Sequence, residues 1–177
     1  MTALVSLVGK ANSGKTTLLE KLIPQLKSRG CRVGTIKHHV HGFDMDRPGK
    51  DTWRHKQAGA SVVALSSPNG LGVIRDTEQE LSLEELVDQH FKDVDLVITE
   101  GYKRASAPKV EIFRSAAHTA PLENRDHTWA AMVTDQPEQA NGLPCFDLTD
   151  IEPLANFLIK TFLKPKSTTN TTDHEQT

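Results

Sequence analysis

Two cysteines, Cys31 and Cys145, stand alone in a sequence of 177 residues, with no C-x-x-C pair or other ligand spacing between them. That excludes a thiolate metal framework and reads as two reduced thiols of a cytosolic protein. One-signed charge is lacking too. Lys and Arg number 21 against 23 Asp and Glu, a formal net charge of -2, so there is no global electrostatic case for a nucleic acid or an anionic membrane as partner. No uninterrupted apolar run approaches the ~20 residues of a membrane helix. The opening Met-Thr-Ala-Leu-Val-Ser-Leu-Val is apolar but has no basic leader and runs straight into a glycine loop. It reads as a first strand, not a signal peptide, and a cytoplasmic location is expected.

What is present alternates between strand and helix signals. Ala3 to Val8 is a nearly continuous apolar run, the pattern of a strand buried on both faces. Thr16 to Arg29 places Leu18, Leu19, Leu22, Ile23 and Leu26 at helical spacing, with Gly30 as a stop and Pro24 expected to kink or locally distort the helix. Further strands are expected at Val33 to Lys37, Leu96 to Thr99, Lys109 to Phe113 and Thr128 to Val133, and a hairpin about Ser67-Pro68-Asn69-Gly70. Short helices are expected from Asp51 to Ala58 and after the capping box Ser82-Leu83-Glu84-Glu85, and a closing helix from Ile151 to Leu163. The sum is an α/β fold of the three-layer P-loop NTPase kind, with a mainly parallel sheet flanked by helices. One domain is expected over residues 1–164, followed by a polar disordered tail at 165–177.

The segment Gly9-Lys10-Ala11-Asn12-Ser13-Gly14-Lys15-Thr16 satisfies G-x-x-x-x-G-K-[ST], with a strand before it and a helix after it. The glycines allow backbone angles that turn successive N–H groups inward around phosphate oxygens, and the helix N-terminus adds unsatisfied donors. Lys15 would bring positive charge to the β and γ phosphates as a catalytic group, and the Thr16 hydroxyl would ligate Mg²⁺. A lysine directly after the first glycine, here Lys10, also occurs in variant P-loops of dimeric ATPases, where it reaches a partner's nucleotide. The alternative for Lys10 is a solvated loop lysine.

Such a site needs a carboxylate near the metal, at the C-terminal end of an adjacent strand. Asp95 and Glu100 bracket one strand, and only Glu100 lies at its C-terminal end, so Glu100 is the candidate catalytic and metal-associated acid. The segment from Lys37 to Asp51 is the densest polar chemistry in the chain, with His38, His39, His41, Asp44, Asp46 and Arg47. It reads in three ways: a metal site, a switch or substrate loop with Asp44 or Asp46 at the metal's water shell, or an exposed polar loop.

Several segments in order resemble the family of molybdopterin-guanine dinucleotide biosynthesis protein B. They are Ser13-Gly14-Lys15-Thr16-Thr17, Ile36-Lys37-His38, Asp44-x-Asp46-x-Pro48-Gly49-Lys50-Asp51 running on to Ala58-Gly59-Ala60, Asp95 to Lys103, and Val133-Thr134-Asp135. The P-loop is generic, whereas the Asp-x-Asp-x-Pro-Gly-Lys-Asp segment is specific. The resemblance implies a GTP-binding protein with weak GTPase activity in molybdenum cofactor maturation. It further implies a homodimer that acts as an adaptor beside a MobA-type guanylyltransferase and molybdopterin. The cofactors implied are GTP and Mg²⁺, with residues Gly9 to Thr17 on the phosphates. Many GTPases read guanine with [NT]-K-x-D. Here Thr134-Asp135 has no intervening lysine, so Asp135 is a candidate reader and the preference for GTP over ATP rests on resemblance.

Two other functions use the same motifs. A small-molecule kinase would hold its acceptor in the 38–51 loop, with Arg47, Arg54 or Arg104 as lid cations. A nickel-type metallochaperone GTPase is suggested by the histidines, but its Cys-Pro-x motif is absent.

Overall fold

The computed structural model describes residues 2–39 and 41–163. The polar tail expected at 165–177 lies outside them. Two compact units emerge, one built from residues up to Lys37 and from Phe91 onward, the other from His38 to His90.

The first unit is a six-stranded sheet: β1 (Ala3–Val8), β2 (Val33–Lys37), β5 (Leu96–Glu100), β6 (Lys109–Phe113), β7 (Trp129–Thr134) and β8 (Cys145–Phe146). Their spatial order is β2-β5-β1-β6-β7-β8, and every pairing is parallel. Together with its flanking helices this makes an α/β fold of the P-loop NTPase kind, as the alternating pattern predicts. β1 lies inside the sheet, so its apolar run is buried on both faces and its C-terminus opens between β5 and β6.

One face of the sheet is apolar. Val5, Leu7, Leu96, Ile98, Val110, Ile112, Ala131 and Val133 project from the strands into a core completed by α1 (Lys15–Ser28) and α4 (Glu152–Phe162). Leu18, Leu22 and Leu26 of α1 recur at i, i+4, i+8, one stripe of the helix, and meet Leu154, Ala155 and Leu158 of α4. Pro24 does not interrupt α1, which is helical through Ser28. Arg29 ties the two helices at their rims by reaching Asn156 and Glu152.

The opposite face carries buried polar groups at alternate positions. The Ser6 and Thr99 hydroxyls bond each other at 2.8 Å, and Glu111, only 1% exposed, pairs with Arg125 at 2.9 Å. Glu111 also accepts from the Leu122 N–H, so this ion pair fastens the chain between β6 and β7 to the strand. Gly34 of β2 is a close-approach position: a Cβ there would stand 2.4 Å from the Phe91 ring.

The second unit contains α2 (Asp51–Gln57), the antiparallel hairpin β3 (Val62–Ser67) with β4 (Gly70–Arg75), and α3 (Leu83–His90). The two-residue turn Pro68-Asn69 sets the register from Ser67↔Gly70 to Val62↔Arg75. Ser82 and Glu85 form the expected capping box. The Ser82 hydroxyl accepts from the Glu85 N–H, and the Glu85 carboxylate accepts from the Ser82 N–H and hydroxyl. Those two donors hold the Glu85 carboxyl below the usual range, although it is exposed.

Leu22 is fully buried between the sheet and α4. Leu22→Ala should therefore cost about 2–5 kcal/mol, read as a lower urea midpoint with unchanged slope. A loss under about 1 kcal/mol would mean that α1 does not carry this core.

Candidate functional site

The register of the sheet fixes where the glycine loop begins. Leu7 pairs with Glu100, the last residue of β5, and Val8 with Glu111, two residues before the end of β6, so β1 ends near the C-termini of both neighbours. Gly9 follows with φ of 154°, and a Cβ there would lie 2.6 Å from the Ile112 carbonyl oxygen and 2.7 Å from Ser13 Oγ. Only glycine fits so close to β6. Asn12 and Gly14 both take left-handed backbone angles, 59° and 97°, which close the loop back onto α1. Gly14 is the N-cap of α1, with no side-chain cap and no acidic residue in the first turn. The first-turn amides are thus left for an anion, and the helix dipole favours one.

Lys15 folds over this loop. Its ammonium donates to the Lys10 carbonyl at 2.8 Å and the Gly9 carbonyl at 3.3 Å. Partial burial pulls its pKa below the ordinary lysine value, Glu100 opposes that, and the charges of Lys103 and Lys37 reinforce it. The lysine therefore sits among cations, the setting in which an added phosphate is most stabilising. Lys10 contributes its carbonyl to Lys15.

Glu100 lies at the C-terminal end of β5, and the Thr16 hydroxyl faces its Oε2 at 3.5 Å. Neighbouring oxygens around Mg²⁺ stand about 3 Å apart when each is ~2.1 Å from the ion, so this pair fits a hydrated Mg²⁺. Asp95 is at the opposite end of β5, where its carboxylate accepts from the Arg32 N–H at 2.8 Å. Asp44 and Asp46 belong to the His38–His90 unit. Asp44 is exposed, and Asp46 uses Oδ1 to accept from the Arg47 N–H. The histidines of this segment have local partners: His38 bonds Glu80 at 2.8 Å, and His39 bonds the backbone of His41. Among the described residues no group of three or more His, Cys, Asp or Glu side chains is placed to hold a metal ion.

Asp135 follows β7 directly, at the same end of the sheet. Its carboxylate accepts from the Ser115 N–H at 2.9 Å and from the Ser115 hydroxyl at 2.6 Å, donors that hold its pKa below the usual carboxylate range. The Ser115 turn was not expected from motif. Its neighbours reach the phosphate loop: Arg114 donates to the Asn12 carbonyl at 3.3 Å, and His118 Nε2 lies 2.6 Å from the Ala11 carbonyl. The one sequence signal for this clamp is position, since the turn follows a strand that ends beside β1.

The profile of the family described as "Molybdopterin guanine dinucleotide synthesis protein B" matches residues 4–135. The chain belongs to this family. It is 38% identical over 156 residues to the molybdopterin-guanine dinucleotide biosynthesis adapter protein of Haemophilus influenzae, covering 88% of this chain and 86% of that one. The adapter protein of the same description from Escherichia coli is 35% identical over 164 residues, covering 90% and 93%. Among solved structures, Bacillus subtilis MobB superposes with a TM-score of 0.71 at 30% identity, covering 93% of this chain and 99% of that one.

The contrast between two loop glycines separates steric contact from backbone preference. Gly9→Ala should lower stability by roughly 1–3 kcal/mol, because the new methyl meets backbone as well as an unfavourable φ. Gly14→Ala has no neighbour within 4 Å and should cost less. Equal thermal shifts in the two variants would show that the contact with Ile112 is immaterial.

Proposed function

We propose that this protein is a GTP-binding adapter in molybdopterin guanine dinucleotide synthesis, with slow GTP hydrolysis. The observation that carries the nucleotide half is the arrangement of the Gly9 to Thr16 loop: an uncapped helix start, Lys15 above it, and the Thr16 hydroxyl opposite Glu100. The pathway half is carried by family membership over residues 4–135.

In this reading the loop amides and Lys15 bind the β and γ phosphates, with Thr17 and Lys10 flanking them. Thr16 and Glu100 hold Mg²⁺, which when bound neutralises charge on the phosphoryl oxygens. Asp135 reads guanine by accepting from its N–H groups, and Ser115 fixes the carboxylate's direction. Asp44 and Asp46 are further acids of this proposed metal set.

The partners in this reading are a MobA-type guanylyltransferase, molybdopterin and a second copy of the chain, in the cytoplasm. The homodimer draws support from the second unit. Phe43, Met45, Val62, Leu65, Leu71 and Val73, the large apolar side chains most exposed among the described residues, all belong to it. Among the described residues no helix is long and apolar enough to cross a membrane.

Calorimetric titration with GTP, GDP and ATP, with and without Mg²⁺, tests the assignment. Lys15→Ala should weaken GTP binding by roughly 10- to 100-fold through loss of charge-assisted hydrogen bonds. Wild-type affinity in a folded Lys15→Ala protein would remove the loop from the site. Glu100→Gln should leave nucleotide binding in place while the Mg²⁺ dependence of affinity and hydrolysis falls. Superimposable Mg²⁺ curves for the two proteins would place the acidic partner elsewhere.

A further inference from the structure

The polar face of the sheet has a feature that the nucleotide reading does not use. The chain leaves β5 at Glu100, crosses as residues 101–108 and enters β6 at Lys109. A second segment, residues 114–128, returns from the end of β6 to the start of β7. Neither crossing contains a helix or strand, and between them lies an open pocket of about 720 Å³.

Lys109 lines this pocket and is only 2% exposed. Its ammonium donates to the Ala105 carbonyl and to Thr128 Oγ1, each at 2.6 Å, so it joins both crossing segments. It also stands 4.9 Å from the centre of the Trp129 ring. An ammonium has three donors, and those two bonds use two of them. Among the described residues no carboxylate lies within ion-pair distance of it, an expensive arrangement for a buried charge.

Lys103 and Arg104 add cationic groups, and His127 an imidazole, to the same lining. Of the two acids there, Asp126 is bonded to the Thr128 N–H and hydroxyl, and those bonds, with a smaller contribution from the Lys109 charge, lower its pKa. Glu123 is exposed. Lys103 also acts electrostatically on Lys15 of the phosphate loop, though less than Glu100 does with the opposite sign.

We propose that this pocket binds the phosphate-monoester end of the small substrate handled beside the nucleotide. This deepens the function proposed above and rests on it for the identity of that substrate as a phosphorylated pterin. A phosphate dianion would take the remaining Lys109 donor, the Arg104 fork and Lys103, and would bring an anion closer to Lys109 than the Asp126 carboxylate stands. The same phosphate chemistry could be offered by a nucleoside monophosphate, so the test separates the two sources.

Trp129 supplies the readout. Its Nε1 is buried with no acceptor among the described residues, and in a Trp53→Phe protein its indole N–H is the remaining tryptophan side-chain resonance. The full chain in this background is titrated, followed by that resonance, with a 6-substituted pterin phosphate, the same pterin without phosphate, GMP and inorganic phosphate. The pterin phosphate should give a saturable shift at least tenfold tighter than the dephosphorylated pterin. The shift should persist in Lys15→Ala and weaken at least tenfold in Arg104→Glu, whose thermal midpoint should be unchanged because the side chain is exposed. Lys109→Met should abolish it, and Arg104→Glu carries the test if that buried substitution does not fold.

No saturable shift with any phosphate probe overturns the proposal. So does a shift that is lost in Lys15→Ala yet intact in Arg104→Glu, which would put the ligand in the glycine loop. Saturation by GMP and inorganic phosphate but not by the pterin phosphate supports the phosphate site and overturns the pterin as its source. Saturation by the pterin phosphate in a protein that fails to bind GTP upholds this site while the nucleotide reading falls.

Discussion

β1 is hydrogen-bonded along both edges, to β5 and to β6, and both pairings are parallel. Parallel pairing brings strand C-termini to one end of a sheet, so the chain must turn there in the space between two neighbours. Gly9 makes that turn within contact distance of the Ile112 carbonyl, where no side chain fits. Glu100 arrives opposite Leu7 by the same register, and the Ser115 turn arrives just beyond Phe113. The groups gathered at this end come from sequence positions 100 residues apart, and strand pairing is what brings them together.

Most of this was legible because burial writes itself into composition. β1, β5 and β6 read as short apolar runs, and the capping box Ser82 to Glu85 read as a helix start through the reciprocal bonds it forms. Glu100 was distinguishable from Asp95 once the strand direction was known. What escaped notice lacked periodicity. β8 is two residues long, and the turn Pro137–Ala140 is a single 3-10 segment.

The candidate site was readable only where chemistry follows a linear motif. Lys15 and Thr16 were named from that motif, and Glu100 from the direction of its strand. Arg114, Ser115 and His118 have no such pattern, because they act through backbone carbonyls and one carboxylate that are remote in sequence. Lys109 was hidden for another reason. At the start of an apolar strand a lysine reads as a solvated end, yet the two crossings close over it and the ring of Trp129 lies beside it. The polar face therefore has two layers of meaning: Glu111 with Arg125 fastens one crossing, while Lys109 leaves bonding capacity unspent.

The sheet order also sets a timetable for the newly made chain. Ser6 meets Thr99 across 93 residues, and β6 follows later still. A ribosome adding about 5–20 residues per second needs several seconds to supply β5 after β1 has emerged. Throughout that interval β1 has two unpaired edges, and α1 has only part of its eventual packing surface. The His38–His90 unit, whose hairpin partners are close in sequence, can fold during the wait. Synthesis thus passes through a stage in which the inserted unit is finished while the strand that precedes the glycine loop is still exposed to chaperones and to other nascent chains.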